Sequence, residues 1–392
     1  MGNSISRRAA LTAVAVLAAS AAFTAQAQVK VGVVLSLTGP AASLGIPEKN
    51  ALQLLPREIA GQKIEYIVLD DATDTTTAVK TVRRLVTEEQ VDVIIGPSVT
   101  PNALAVLDVI AEARTPMVAL AASQRIVSPA NARRRWAFKT TQNDTDAAAL
   151  LLQHMTEHGV KTLAYAGFAN AAGDAWWDEL QRIAPGRQVR LVANERYAAG
   201  DTSVMAQALR VLAANPDAVF IGASGSPALL PHRTLVEQGY RGRIYLNQGV
   251  ANVEFLRMGG KQVEGAFIAM GPAVLARQLA ADNQLRAPAM ALTEAYEARY
   301  GQGTLSSFAA HAWDAGLLLQ GALPVALKRA RPGTPEFRAA LRDAFEGLHD
   351  LPVSMGMVNM KPDDHVGYDR RSLVLARIVD GDWKLIAESK AP

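Results

Sequence analysis

VDVIIGPSVTPNALAVLDVIAEARTPMVALAAS, residues 91–123, decides how the rest of the chain is read. Val91 to Ile95 is a short apolar run rich in β-branched residues, and it stops at Gly96-Pro97. That pattern fits a strand buried on both faces of a parallel sheet. Ala103, Leu104, Val106, Leu107, Ile110 and Ala111 then recur at helical spacing. Thr100-Pro101 gives that helix a start signal, a hydroxyl at the N-cap and proline at the first helical position. A second apolar run, Met117 to Leu120, ends in Ala121, Ala122 and Ser123. Two parallel strands thus deliver two small, hydroxyl-bearing turns to one edge of a sheet. Free N–H groups there, with the hydroxyls of Ser98 and Thr100, would attract a carboxylate. The same hydroxyls would serve as well to cap a helix.

The pattern extends in both directions. Upstream, Val29 to Ser36 and Ile64 to Leu69 read as strands. Pro47 to Ala60 reads as a helix that Pro56 kinks or shortens, and Thr75 to Glu89 as an amphipathic helix. Four strands alternating with three helices make a doubly wound parallel α/β unit. Downstream the alternation restarts, with a helix from Asn143-Asp144 to about His158 and strands at Thr162 to Phe168, Val189 to Tyr197, Ala218 to Ala223, Arg243 to Asn247 and Gly265 to Gly271. Ala289 to Tyr300, Phe308 to Leu327 and Pro335 to Phe345 are helical. The tail returns to strands at Val353 to Asn359 and Leu373 to Val379, with a turn at Asp380-Gly381-Asp382. Two α/β units joined by several crossings imply a ligand cleft at the strand carboxyl ends.

The first residues are a separate matter. Arg7-Arg8, an apolar stretch from Ala9 to Phe23 and Ala25-Gln26-Ala27 read as a secretory signal peptide over residues 1–27, by a Sec or twin-arginine route, with the periplasm as destination. Its removal takes away two of the 40 basic residues and leaves 38 against 37 acidic. So small an excess, with no basic block longer than Arg133-Arg134-Arg135, argues against a nucleic-acid partner. No later apolar run approaches the ~20 residues of a membrane span.

Enzyme chemistry finds little support. With no cysteine, neither a disulfide nor a thiol nucleophile is available. Asp70, Asp71 and Asp74 lack the rest of a calcium loop and are read as caps of the helix at Thr75. His154 and His158 have the spacing of a zinc pair, but no HExxH and no third ligand, so they are read as a solvated helix face. Gly222 to Ser226 lacks both nucleotide-loop patterns, and there is no G-x-S-x-G elbow. No catalytic residue, metal site or cofactor is expected. Small-residue turns follow six of the strands instead: Ser36 to Gly45, Gly96 to Thr100, Ala121 to Ser123, Phe168 to Gly173, Gly222 to Ser226 and Asn247 to Gly249.

In the order and spacing of VKVGVVLSLTGPAASLG, VLDDATDTTTAVKTVRRLV, VDVIIGPSVTPNALAV, TPMVALAAS and FKTTQNDTDAAA, the chain resembles the periplasmic solute-binding proteins of ABC importers, in the leucine/isoleucine/valine-binding branch of the type I fold. The resemblance spans residues 29–392. It implies two doubly wound parallel-sheet lobes on a three-stranded hinge that closes over a ligand. The expected division is 28–140 plus 272–352 for one lobe and 141–271 plus 353–392 for the other. It further implies a small carboxylate ligand, a membrane permease partner and a monomer; a periplasmic subunit that signals to a membrane receptor shares the fold and the binding event and differs in its surface patch and partner. Thr100 matches the residue that holds the ligand carboxylate, and Ala121 and Ser123 match positions that complete that site. Pro97 and Ser98 match its walls. Ala172 and Ser226 fall at positions that are often aromatic, so a roomier pocket is expected. Gln248 falls where amino-acid binders carry the glutamate that pairs with the ligand ammonium. A neutral amide cannot make that charge-assisted bond, so either Asp144 or Asp174 replaces it, or the ligand has no α-ammonium.

Overall fold

The computed structural model describes residues 28–388, and the expected signal peptide lies outside them. Two sheets carry the architecture. The first runs in the order Glu58–Ile59, Gln62–Asp70, Val29–Leu35, Val93–Ile95, Met117–Ala119, Ala137–Lys139, parallel throughout except for the short first strand. Its central strand, VKVGVVL, is apolar almost throughout because both faces are covered. Val31, Val33 and Leu35 pack under the helices Ser307–Leu327 and Pro335–Glu346. Val34 points the other way, toward Ala78, Val82 and Leu85 of the helix Thr75–Thr87, as the two-residue period of a strand requires.

The second sheet runs Asp382–Glu388, Val374–Val379, Phe267–Met270, Arg243–Leu246, Ala218–Gly222, Thr162–Phe168, Arg190–Tyr197. Its first two strands are antiparallel additions to a parallel core. Ile221, Leu246 and Ile268 pack on one face and Tyr165, Phe220 and Tyr245 on the other. Among the described residues no helix is long and apolar enough to cross a membrane.

Several elements differ from the sequence-based expectation. The helix expected at Pro47 spans Ala42–Leu52 and carries Pro47 inside, where the missing N–H forfeits one ladder bond. The single helix expected after Thr100 is broken at Val106 into Thr100–Ala105 and Leu107–Glu112. Thr100 is not its cap: Val99 holds that place without a side-chain bond, and Thr100 is the first helical residue. The tail forms a hairpin, Leu351–Val353 with Gly356–Val358, and a final strand, Asp382–Glu388, that the turn at Asp380-Gly381 folds back onto Val374–Val379. Val353, Met355, Val358 and Met360 belong to the first lobe's core, as does Val366. The last crossing therefore falls between Val366 and Val374, further along than the break after residue 352.

Candidate functional site

All six strand-end turns meet at one place. A cavity of about 320 Å³ lies between the lobes, at the small end of the range for ligand pockets. Ala41 and Leu44, Ser98 to Asn102, and Leu120 to Ala122 line it from the first lobe. Phe168, Asn170 and Ala172, Gly222 to Ser224, and Asn247 to Gly249 line it from the second. Of the residues singled out from sequence, Ser98, Thr100, Ala121, Ala172 and Gln248 are in this lining, and Pro97, Ser123 and Ser226 stand outside it.

Two hydroxyls in one turn have different tasks. The Ser98 hydroxyl accepts from the Ser36 N–H at 3.1 Å and donates to the Glu48 carboxyl. Burial pushes that carboxyl well above the usual range, while the Ser98 bond pulls it down. The Ser36 hydroxyl in turn donates to Asp71 at 2.7 Å, so Ser98 belongs to a buried network that pins the turn. Thr100 accepts from the Ser123 N–H at a long 3.4 Å, which leaves its own O–H proton to donate. Asn102, two residues on, lines the cavity with neither amide atom partnered; nothing in its neighbourhood in the chain signalled it. Ser123 takes part through its backbone N–H, while its hydroxyl accepts from the Arg125 N–H at 3.3 Å. Of the acidic run only Asp74 caps the Thr75–Thr87 helix; Asp70 instead accepts from the N–H groups of Leu37 and Thr38, and Asp71 from the Ser36 hydroxyl and the Thr73 N–H, so both tie the strand ends together.

Beneath the cavity the first crossing is held by a residue that sequence reasoning missed. Lys139 is wholly buried, and its ammonium donates to the carbonyls of Ala122, Thr141 and Gln142 at 2.8, 2.9 and 3.1 Å. Thr141 donates to the Ala121 carbonyl at 2.6 Å. Gln248 donates its amide N–H to the Gln142 carbonyl at 3.3 Å. Because that partner is an acceptor, the amide nitrogen must face it, and Oε1 is left without a partner. Of the two acids considered as substitutes for the missing glutamate, Asp174 pairs with Arg196 at 3.2 Å and is not in the lining. Asp144 is in the lining, with Oδ1 unpartnered. Burial pushes its carboxyl up to about 7, against the pull of Lys139.

Aromatic surface comes from positions other than 172 and 226. Asn170 caps the helix Ala171–Ile183 by accepting from the N–H groups of Ala172 and Gly173. Trp176, one turn beyond Ala172 on the same face, reaches the cavity, as do Phe168 and, from the other lobe, Phe308. The histidine pair is also placed differently from expectation. His154 is buried, bonds the Tyr245 hydroxyl at 3.0 Å and stacks on His158, so it is no solvated face. Among the described residues no cluster of three potential ligands could hold a metal.

His311, on the helix behind Phe308, also lines the cavity. Its Nδ1 carries the proton toward the Thr140 carbonyl at 3.1 Å, and burial pushes its pKa down to about 3. Between that value and the unfolded ~6.5, the unfolded chain binds the extra proton, so stability falls as the pH drops. His311→Gln is expected to shrink the stability lost between pH 7 and pH 5 by about 2 kcal/mol, read from urea unfolding at both pH values. An unchanged loss would mean that the ring is not held neutral.

A sequence profile of the family described as "Periplasmic binding protein" matches residues 28–382. The Leu/Ile/Val-binding protein BraC3 of Rhizobium johnstonii is 26% identical over 258 residues, covering 63% of this chain and 69% of that protein. The crystal structure of an extracellular ligand-binding receptor from Rhodopseudomonas palustris superposes with a TM-score of 0.89 at 42% identity, covering 92% of this chain and 100% of that one. A leucine-binding protein from Thermotoga maritima has the same fold, with a TM-score of 0.81 at 20% identity over 92% of this chain and 98% of its own.

Proposed function

The chain belongs to the periplasmic binding protein family, whose members are solute-binding proteins, and from that premise we propose that it is the periplasmic, monomeric substrate-binding component of an ABC importer. Its ligand in this reading is a small organic carboxylate, a branched-chain amino acid, amide or aromatic acid, held between the lobes. The observation that carries the reading is the meeting of six strand-end turns from both lobes on one small cavity. Closure about the crossings would bury the ligand and remove its carboxylate from water.

Thr100, with a hydroxyl proton to donate, and the Ala121 turn are the carboxylate end. Among the described residues no lysine or arginine lines the cavity, so hydroxyl and backbone dipoles meet that charge. Phe168, Trp176 and Phe308 suit an apolar or aromatic body. Asp144 Oδ1 and Gln248 Oε1 are acceptors without partners, which favours a ligand with N–H donors facing them. A thermal-shift screen of amino acids, amides and aromatic acids should find one that raises the melting temperature, since a ligand that binds only the native state stabilises it. Thr100→Ala should then weaken that ligand by ~1–3 kcal/mol in calorimetry. A screen without any stabilisation counts against the solute-binding role, and an unchanged affinity removes Thr100 from the site.

A further inference from the structure

A second, larger cavity of about 880 Å³ opens on the second lobe, at the edge of the sheet opposite the cleft. The strands Arg243–Leu246 and Phe267–Met270 begin there, whereas the residues following Leu246 line the cleft. Arg241, Arg243, Lys261, Arg377 and Lys384 line this groove, with Glu264 as the one acid among the lining residues. Glu264 is already occupied, accepting from the N–H groups of Asp380 and Gly381 at 2.8 and 3.2 Å.

The cations are poorly compensated. Lys384 has Asp382 at 3.4 Å. Among the described residues, no carboxylate comes within ion-pair distance of Arg241, Arg243, Lys261 or Arg377. Arg377 lies over the Phe267 ring at 5.3 Å and donates to the Gly265 carbonyl at 3.2 Å, which holds its guanidinium at the groove wall. Arg377 and Lys384 are direct cross-strand partners in an antiparallel pair, an arrangement in which like charges destabilise the sheet. An anion in the groove would relieve this repulsion.

We propose that this groove is a second binding site, independent of the cleft, for a multivalent anion bearing phosphate groups, held by Arg243, Arg377 and Lys384. Guanidinium groups match phosphate oxygens two at a time, and three of the five cations are arginines. The volume exceeds that of one inorganic phosphate, so the ligand carries several phosphates or one phosphate on a larger body. Such a group is found on a soluble polyphosphate or on a phospholipid head, and the test separates the two.

The test is calorimetric titration of the whole chain with pyrophosphate at low and at raised salt, beside flotation with phosphatidylglycerol or phosphatidylcholine vesicles. Saturable, salt-sensitive binding of pyrophosphate is expected, and Arg243→Gln with Arg377→Gln should weaken it at least tenfold. Lys384→Gln alone should weaken it less, with melting temperatures showing that each variant is folded. Flotation with phosphatidylglycerol that the double substitution abolishes would assign the lipid head, and pyrophosphate binding without flotation would assign the soluble anion. Absence of saturable pyrophosphate binding, or binding unchanged in the double variant, would overturn the proposal.

Discussion

Lys139→Met is expected to lower the unfolding free energy by about 3–5 kcal/mol, the range for breaking a buried charged pair by removing one partner. The ammonium saturates its three donors on the carbonyls of Ala122, Thr141 and Gln142. Methionine fills a similar volume but donates nothing, so three buried carbonyls lose their partner and the Asp144 carboxyl loses its nearest compensating charge. One effect opposes this: burial pushes the lysine down to about 8, so removing it also removes a desolvation cost. The carbonyls decide the balance, because an orphaned buried acceptor costs about 1–3 kcal/mol each. Ala122, Thr141 and Asp144 all line the cleft, so ligand affinity should fall as well, although Lys139 itself is not in the lining. Guanidinium unfolding at pH 7 measures the first effect and calorimetry the second. A stability change under about 1 kcal/mol would show that the carbonyls find other partners.

That residue also shows where sequence reading stops. The strands and turns were legible because burial on both faces forces continuous apolar runs, and strand ends need small residues to turn. Their edge placement followed from parallel topology alone, which is why all six turns could be assigned to one cleft. Lys139 carries no such mark: a lysine at the end of a short strand reads as exposed, because buried lysines are rare. Its acceptors lie in two separate turns that only the folded chain brings together.

The same reason separates Ser98 from Thr100. Their hydroxyls look equivalent in sequence, yet Glu48, fifty residues upstream, takes the first and leaves the second available. Phe308 is invisible for a related reason, since it enters from a helix some two hundred residues beyond the turn it faces. His154 and His158 had helical spacing, but spacing does not say which face is buried, and Tyr245 and Phe267 on two neighbouring strands make that choice. The break at Val106 had no proline or glycine to announce it.

Gly96→Ala is expected to cost about 2–5 kcal/mol of stability, from a left-handed backbone of about 1–2 and a steric shift of about 1–3. Gly96 has φ +103, and a Cβ there would lie 2.0 Å from the carbonyl oxygen of Val34 and 3.0 Å from its carbon. Those atoms belong to the central strand of the first sheet and cannot swing aside as a side chain would. The turn must move instead. Movement would strain the Gly96 N–H bond to Val118 at 2.9 Å and the Leu120 N–H bond to Pro97 at 3.1 Å. These two bonds hold the Thr100 turn to the Ala121 turn, so the carboxylate end of the cleft should loosen with the fold. Gly239→Ala supplies the comparison, since Gly239 has φ +87 and open space where its Cβ would go. It should show the backbone cost alone, about 1–2 kcal/mol. Urea unfolding of both variants therefore isolates the collision with Val34, and equal losses would mean that this close approach does not constrain the turn.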